Sequence, residues 1–243
     1  MLSGKTTKGC DPMKKTQKLA EKLFFSCLLT MSSGGQTAYS YLNHKGVFAG
    51  FQSGNLIRMA VNLGQGHFAD LPPYFVSIIF FMIGTVLTRI LHFHYDDPSH
   101  EIRRNALVLI ISFLAMAVVA WISQTGHHLL ATAFLTISTA AQFEEFRSLE
   151  GTNYTPTMMS GNFKRLTENL FDYFLYPNAT VKANAKSNIF YFIAIILSYF
   201  TGVLAISLGQ NWLGIWTIFI PMALTALGIC LLFLQAYTNH SQA

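Results

Sequence analysis

The chain has 243 residues, of which 52% are hydrophobic and 11% are Asp, Glu, Lys or Arg, whereas a soluble domain carries about 25% charged residues. Residues 105–143 and 187–243 contain no Asp, Glu, Lys or Arg at all. Since about 20 apolar residues cross a bilayer as a helix, each run is long enough for more than one crossing. This excludes a soluble globular protein and predicts an all-α, polytopic membrane protein whose surroundings are the lipid bilayer.

Six segments are long and apolar enough to be predicted membrane spans. They are, in chain order, residues 23–43, 72–93, 105–123, 128–147, 187–208 and 212–235. Their apolar runs are continuous, which favours helices over the alternating strands of a membrane barrel. Turn-forming residues at 124–128 and 209–211 predict short connections after the third and fifth spans.

The basic residues fall mainly on one side of these spans. With a cytoplasmic N-terminus, that side carries 14 of the 16 Lys and Arg residues, and only Lys45 and Arg58 lie outside. Because cytoplasmic loops are enriched in Lys and Arg, the count predicts a multi-pass protein of the cell membrane with both termini in the cytoplasm. Membrane sidedness thus explains the net charge of +5, and we expect no nucleic-acid partner.

The sequence also repeats itself at an offset of about 106 residues. Residues 30–36 match residues 136–142, and residues 53–63 match residues 160–170, where six of eleven positions are identical. We predict two repeats of three spans and one Ser-Gly-Asn segment each. An odd number of crossings inverts the second repeat relative to the first, as in many secondary transporters. The predicted parts are a basic cytoplasmic segment at 1–22, a first repeat at 23–123, a second repeat at 124–235 and a cytoplasmic tail at 236–243.

Several short motifs resemble one known family. They are the runs at residues 35–42, 47–49 and 53–55, together with Gln142 and residues 160–162. On these motifs the chain resembles the YoaK-type family of bacterial integral membrane proteins over roughly residues 20–235. The resemblance implies a bacterial inner-membrane protein of about six helices whose biochemical function is unassigned. Two positions depart from the family pattern: Thr37 stands where an acidic residue is common, and Phe143 stands where Asn is usual.

The two Ser-Gly-Asn segments open predicted short helices. Ser53 and Ser160 are the predicted N-caps, and the roughly 11–15 residues that follow each cover only about half of a 30 Å bilayer core. Two interpretations stay open: interfacial helices on opposite leaflets, or re-entrant half-helices whose N-termini face each other near the midplane. In the second, backbone N–H groups and helix dipoles would form a site for an anion or a carboxylate. Arg58 and Arg165 either add charge to that site or extend to their own interfaces.

Gln36 and Gln142 occupy matching places in the first and fourth spans. Small and hydroxyl residues surround both, so each glutamine either joins closely packed helices or contacts a ligand. The candidate substrate-binding residues are therefore Gln36, Ser53, Gly54, Asn55, Arg58, Gln142, Ser160, Gly161, Asn162 and Arg165. Glu144, where the fourth span ends, is interpreted as part of a helix-end charge cluster or as a proton carrier.

Four common catalytic signatures are missing from the sequence. It has no G-x-S-x-G elbow, no phosphate-binding Gly-rich loop, no H-E-x-x-H and no carboxylate pair deep in a span. We therefore predict no enzyme activity, no cofactor and no metal site. The leading hypothesis is a small secondary transporter or permease-like protein for a small solute, with a modest preference for an anionic group. The alternative is a non-transporting membrane scaffold or accessory protein.

Overall fold

The computed structural model describes residues 18–241, and these are almost entirely helical. The α-helices of this part are α1 (Leu23–Asn43), α2 (Gln52–Gly64), α3 (Leu71–His94), α4 (Glu101–Ile122), α5 (His128–Glu145), α6 (Met159–Leu175), α7 (Ala179–Leu213) and α8 (Phe219–Ser241). Residues 1–17, most of the predicted basic N-terminal segment, lie outside the described residues. The predicted all-α class is confirmed.

A helix lies at each of the six predicted spans, but two helices depart furthest from their predicted bounds. α8 begins and ends later than the predicted 212–235, at Phe219–Ser241, and α7 extends beyond 187–208 at both ends. It begins at Ala179 rather than at residue 187, because the Asn178 side chain caps it by accepting a hydrogen bond from Thr180 N at 2.9 Å. The predicted turn at residues 209–211 is wrong, since these residues continue α7. The chain reverses instead after Gly214, whose φ of +53° favours glycine.

A short antiparallel hairpin, absent from the predicted elements, follows α5. Its strands are β1 (Ser148–Leu149) and β2 (Thr152–Asn153). Glu150 and Gly151 make the turn with φ values of +48° and +82°. Glu150 N donates to Glu21 O at 2.8 Å, which holds the hairpin against the segment that leads into α1.

Helices α1 and α5 form the centre of the bundle. α1 packs against α7 and α8, α5 packs against α3 and α4, and α1 also contacts α5. α4 contacts α8, while α2 packs on α3 and α6 packs on α7 at the edges. Most of α1 between Phe25 and Ser40 is buried. The two helices richest in small polar residues therefore lie innermost.

Glycines allow backbone contact between neighbouring helices. A Cβ built on Gly202 of α7 would overlap the carbonyl oxygen of Met31 in α1. On the other side of the bundle, a Cβ built on Gly84 of α3 would lie 3.1 Å from the carbonyl oxygen of Ile137 in α5. Small residues of this kind let membrane helices approach closely.

Length and hydropathy identify three helical stretches that could span a membrane. They are Phe68–His94, Glu101–Thr125 and Ala179–Asn239, the last of which contains α7 and α8. Large apolar side chains on the outer helices are exposed, including Phe93 at 84% and Trp121 at 73%. Helices of this length with exposed apolar surface indicate a membrane protein. By these criteria the described residues contain three such stretches, whereas the sequence pattern predicted six spans.

Candidate functional site

Two loops lead into the Ser-Gly-Asn segments. They are loop A, residues 47–51, before α2, and loop B, residues 154–158, before α6. Asn55 Oδ1 accepts from Phe48 N at 2.9 Å, and Asn55 Nδ2 donates to Phe48 O at 2.7 Å. Asn162 makes the same two bonds to Thr155, at 3.2 and 2.7 Å. Each asparagine therefore clamps its loop to the helix that follows.

The Asn55 amide is shared with further polar groups. Its Nδ2 also lies 2.9 Å from Gln52 Oε1 and 3.0 Å from Ser77 Oγ in α3. Ser77 Oγ is in turn 3.1 Å from Thr136 Oγ1 in α5. Asn55 and Asn162 are 0% and 1% exposed, so these amides, which we predicted to bind a solute, are engaged with protein groups.

Ser53 and Ser160 are not helix N-caps, contrary to the sequence prediction. α2 begins at Gln52 and α6 at Met159, so each serine is the second residue of its helix, and both are exposed. The residues at the N-cap positions make no side-chain capping bond. The helices begin earlier because the asparagine clamps, rather than serine caps, fix the junctions.

The two motif glycines meet different surroundings. A Cβ built on Gly54 would overlap the Phe51 ring. The nearest atom to a Cβ built on Gly161 is Thr155 Oγ1 at 3.7 Å, an ordinary contact. Packing therefore requires glycine in the first segment and not in the second.

Loops A and B touch each other beside α1. A Cβ built on Gly50 of loop A would lie 3.3 Å from Thr157 Cβ of loop B and 3.3 Å from Thr37 Oγ1 of α1. Loop A is also held to α5, because Thr139 Oγ1 donates to Ala49 O at 2.8 Å. The structure thus brings the starts of the two Ser-Gly-Asn segments together, although they are far apart in the sequence.

A cavity of about 660 Å³ lies where the loops meet, within the range of roughly 300–1,000 Å³ that small-molecule sites occupy. Its wall includes the hydroxyl residues Thr37, Thr157 and Ser160 and the aromatic rings of Phe48, Phe51 and Phe163. Ser160 is the one predicted site residue in that wall. The other predicted residues support the loops, pack helices or lie on the helix surfaces.

One face of α1 carries buried hydroxyl groups that we did not predict as a site. They are Ser26, Thr30, Ser33, Thr37 and Ser40, spaced by four, three, four and three residues. This spacing places them on a single helix face and is visible in the sequence. Within the described residues, Ser33 Oγ and Ser40 Oγ have no hydrogen-bond partner. The Ser26 and Thr30 hydroxyls lie beside the buried Tyr154 hydroxyl, and Thr37 Oγ1 donates to Ser33 O at 2.9 Å. This hydroxyl stripe of α1 reaches the cavity at Thr37.

Gln36 and Gln142, which the repeat pairs, differ in their bonding. Gln36 Oε1 accepts from Ser138 Oγ at 2.6 Å, and Gln36 Nε2 donates to Ser32 Oγ at 3.3 Å. The bond to Ser138 links α1 to α5, as the helix-packing interpretation requires, and the bond to Ser32 lies within α1. Gln142 is also fully buried, but neither atom of its amide has a partner within residues 18–241.

Arg58 and Arg165 lie in different environments. The Arg58 guanidinium carbon is 5.1 Å from the ring centroid of Tyr41 and 5.3 Å from that of Phe48. Arg58 Nη2 also donates to Tyr41 OH at 3.2 Å. Both rings line the cavity, and Arg58 contacts them from outside its wall. Arg165 is half-buried on α6 and lies outside the cavity wall.

A cluster of carboxylates and basic side chains joins the ends of α3, α4 and α5. The contacts are Glu144 Oε1 to Arg89 Nε at 2.8 Å, Glu144 to Arg147, Glu145 Oε2 to His92 Nε2 at 2.7 Å, and Glu145 Oε1 to Arg104 Nε at 2.8 Å. Both carboxylates are almost fully buried and need such partners. Glu144 thus has the bonding of a helix-end charge cluster. Among the described residues, no group of three His, Cys, Asp or Glu could hold a metal ion.

At the other end of α1, a histidine pair links three helices. His44 Nδ1 lies 3.3 Å from His128 Nδ1 at the start of α5, and His44 Nε2 lies 3.5 Å from Ser123 Oγ after α4. Burial, with a smaller effect of His128, lowers the pKa of His44 from 6.5 to about 4. His44 is therefore neutral at physiological pH.

These features define a helical membrane protein with a polar interior and a cavity between two paired loops. The chain matches the family model described as "Protein of unknown function (DUF1275)" over residues 25–231. It belongs to this family, which is the YoaK-type family that its motifs resemble. No curated protein and no solved structure matches the chain.

Proposed function

We propose that the protein is a small secondary transporter, or permease-like protein, that moves a small and preferably anionic solute through the cavity between loops A and B. The observation that carries this proposal is the contact of Gly50 with Thr157 beside that cavity. The two residues hold the same place in the matching segments, each five residues before the clamping asparagine. The two loops of the repeat therefore meet at one point.

The packing of the helices supports two halves of opposite orientation. α1 of the first half packs against α7 and α8 of the second, and α5 of the second half packs in the same way against α3 and α4 of the first. The short helices also correspond, because α2 contacts α3 and α6 contacts α7. Gly202 lies against Met31 as Gly84 lies against Ile137, and Met31 matches Ile137 in the sequence repeat. Such correspondences are expected of two repeats related by a pseudo-two-fold axis, and three spans in each half would put that axis in the membrane plane.

In this proposal, α2 and α6 are re-entrant half-helices within a protein of six spans. Irregular backbone is stable at membrane depth only where protein covers it or a cavity adjoins it. The Asn55 and Asn162 clamps supply partners for such backbone in loops A and B. The exposed apolar side chains of the half-helices, such as Ile57 and Phe171, would then face lipid.

The proposed orientation places the cavity on the outer side. The cavity extends along α1 from Thr37 to Leu42, close to the end of the helix at Asn43. With both termini in the cytoplasm, that end of α1 faces outward. The hydroxyl stripe of α1 continues from Thr37 toward the cytoplasmic end and offers polar groups along the remaining path.

A non-transporting scaffold or accessory protein is the second candidate. It is favoured by the internal hydrogen bonds of Asn55, Asn162 and Gln36, which commit these side chains to the fold. The two candidates differ in whether any solute crosses the membrane.

Uptake into liposomes that contain the purified protein separates the candidates. A panel of labelled organic acids, amino acids and sugars is offered to the wild type and to two variants. Ser160→Trp fills the cavity from its exposed edge and is expected to abolish uptake. Ser53→Trp changes the equivalent exposed residue of α2, away from the cavity, and is expected to preserve it.

Two outcomes contradict the transport proposal. If no solute in the panel enters above the level of protein-free liposomes, the scaffold function is favoured. If uptake occurs but Ser160→Trp leaves it unchanged, the solute does not pass between loops A and B.

A further inference from the structure

The cavity between the loops has an aromatic side. The rings of Tyr41 and Phe48 stack with centroids 5.1 Å apart, and Phe48 meets Phe51 edge-on at 5.6 Å. Phe163 of α6 also lines the cavity. Such a surface suits a flat apolar or aromatic group, because aromatic pairs gain from offset-stacked and edge-to-face contacts.

The cavity wall also has a polar side. Thr157 lines the cavity and is 3% exposed, yet its Oγ1 has no hydrogen-bond partner within the described residues. Thr37 and Tyr199, whose hydroxyl lies beside Thr37, also line this side. A buried hydroxyl without a partner is costly, so a ligand that bonds to Thr157 would gain the interaction that the fold leaves unmade.

The first turn of α6 adds a preference for negative charge. Met159 and Ser160, the first residues of this 17-residue helix, line the cavity next to Thr157. The first N–H groups of a helix lack partners within it, and its dipole attracts anions. Arg58, whose guanidinium contacts the Tyr41 and Phe48 rings, adds a second positive charge outside the cavity wall. The cavity wall contains no Asp or Glu among the residues that the structure describes.

We infer that the cavity binds a small carboxylic acid with an aromatic body, the carboxylate at Thr157 and the start of α6, and the ring among Phe48, Phe51 and Phe163. This inference rests on the proposed function and names the substrate class of the same site. It distinguishes the solute from simple inorganic anions, for which the aromatic side offers no contact, and from neutral aromatic compounds, which gain nothing from the positive field.

Binding of three probes to the full-length protein in detergent tests this inference. Phenylacetate carries both features, phenylacetamide lacks the charge, and acetate lacks the ring. Calorimetry and the shift of the thermal unfolding midpoint are expected to show binding of phenylacetate, with phenylacetamide and acetate at least about tenfold weaker. If phenylacetamide or acetate binds as tightly as phenylacetate, the inference is overturned.

Matched threonine variants locate the binding site. Thr157→Val keeps the shape of the side chain and removes its hydroxyl, and it is expected to weaken phenylacetate binding about tenfold. Thr132→Val removes another buried hydroxyl without a described partner, in α5 and outside the cavity wall, and is expected to leave binding unchanged. Equal effects of the two variants would overturn the assignment.

The variant Phe51→Ala, at a partly exposed position, tests the aromatic residues. It is expected to weaken the binding of phenylacetate and to leave the binding of acetate unaffected.

The uptake assay distinguishes failure of this inference from failure of the proposed function. If phenylacetate does not bind, but another solute enters liposomes in a manner that Ser160→Trp blocks, the substrate class is wrong and the transport function stands. If phenylacetate binds through Thr157 and no solute enters, the site stands and the transport function fails.

Discussion

Asn55 and Asn162 each bind a loop through both the oxygen and the nitrogen of the side-chain amide. Each amide accepts from a backbone N–H and donates to the carbonyl of the same residue, which satisfies backbone that would otherwise be unpaired in the interior. An ionised Asp cannot donate this second bond. The geometry therefore accounts for asparagine at both positions without a ligand.

We expect Asn55→Ala to lower the free energy of unfolding by roughly 2–4 kcal/mol, because several buried polar groups lose their partner. Asn62→Ala is the matched control, since Asn62 Nδ2 donates to Arg58 O within the same helix. Its expected effect is within about 0.5 kcal/mol. Thermal unfolding in detergent measures both variants, and equal losses would contradict the clamp.

His44 is expected to make stability depend on pH. Its pKa is about 4 in the folded protein and 6.5 without the fold, so the unfolded chain takes up the proton first as the pH falls. The free energy of unfolding contributed by this group is fully present above pH 6.5 and is lost between pH 6.5 and pH 4. The loss is expected to be no more than roughly 3–4 kcal/mol.

The variant His44→Gln isolates this contribution. It removes the titrating group and keeps a polar side chain near His128 and Ser123. Unfolding midpoints of the wild type and the variant are compared across the same pH range, and we expect a flatter dependence for the variant. Identical slopes would mean that other groups cause the acid sensitivity.

For single residues, the sequence repeat identified the paired asparagines but not the groups that line the cavity. Thr157 could not be identified from the repeat, because its counterpart in loop A is Gly50, which has no side chain. Which loop residue faces a cavity is decided by tertiary contacts between α1, α6 and α7. The hydroxyl stripe of α1, in contrast, is a local pattern and could have been predicted.

The helices show where an apolar pattern predicts boundaries well. α1 has the predicted bounds, residues 23–43, because polar residues adjoin both its ends. α7 departs from its pattern because Lys182 and Lys186 end the apolar run without ending the helix. Gln210 sits inside α7 because it exchanges hydrogen bonds of 2.9 and 3.3 Å with Asn43, so its amide is satisfied without a turn.

The contact between α1 and α7 is expected to depend on Gly202. Gly202→Ala would push the new methyl group into the Met31 carbonyl oxygen, so the helices must separate. We expect a loss of roughly 1–3 kcal/mol in the free energy of unfolding. Gly64→Ala is the control, since a Cβ at that position in α2 meets no atom within 4 Å. Unfolding of both variants in detergent is the measurement, and an unaffected Gly202→Ala would contradict the close approach.

At the scale of the whole molecule, composition predicted the membrane location and the basic residues predicted the orientation. A variant without the three native cysteines carries one new cysteine at His127 or at Ser99, both exposed. We expect a membrane-impermeant thiol reagent applied to intact cells to label position 127 and not position 99. The reverse pattern would invert the topology and move the cavity to the cytoplasmic side.

The repeat predicted two halves, but the point where they meet emerged only from the packing of loops A and B. A disulfide between Gly50→Cys and Thr157→Cys tests this meeting most directly, because a Cβ at position 50 lies 3.3 Å from Thr157 Cβ, close to the range of about 3.5–4.5 Å in disulfides. The pair is placed in the cysteine-free protein with a protease site at residues 124–127, and oxidised in native membranes. After cleavage the two halves are expected to stay joined on a non-reducing gel, whereas either single variant releases them. Halves of the double variant that separate after oxidation would contradict the central meeting of the loops and the solute site built on it.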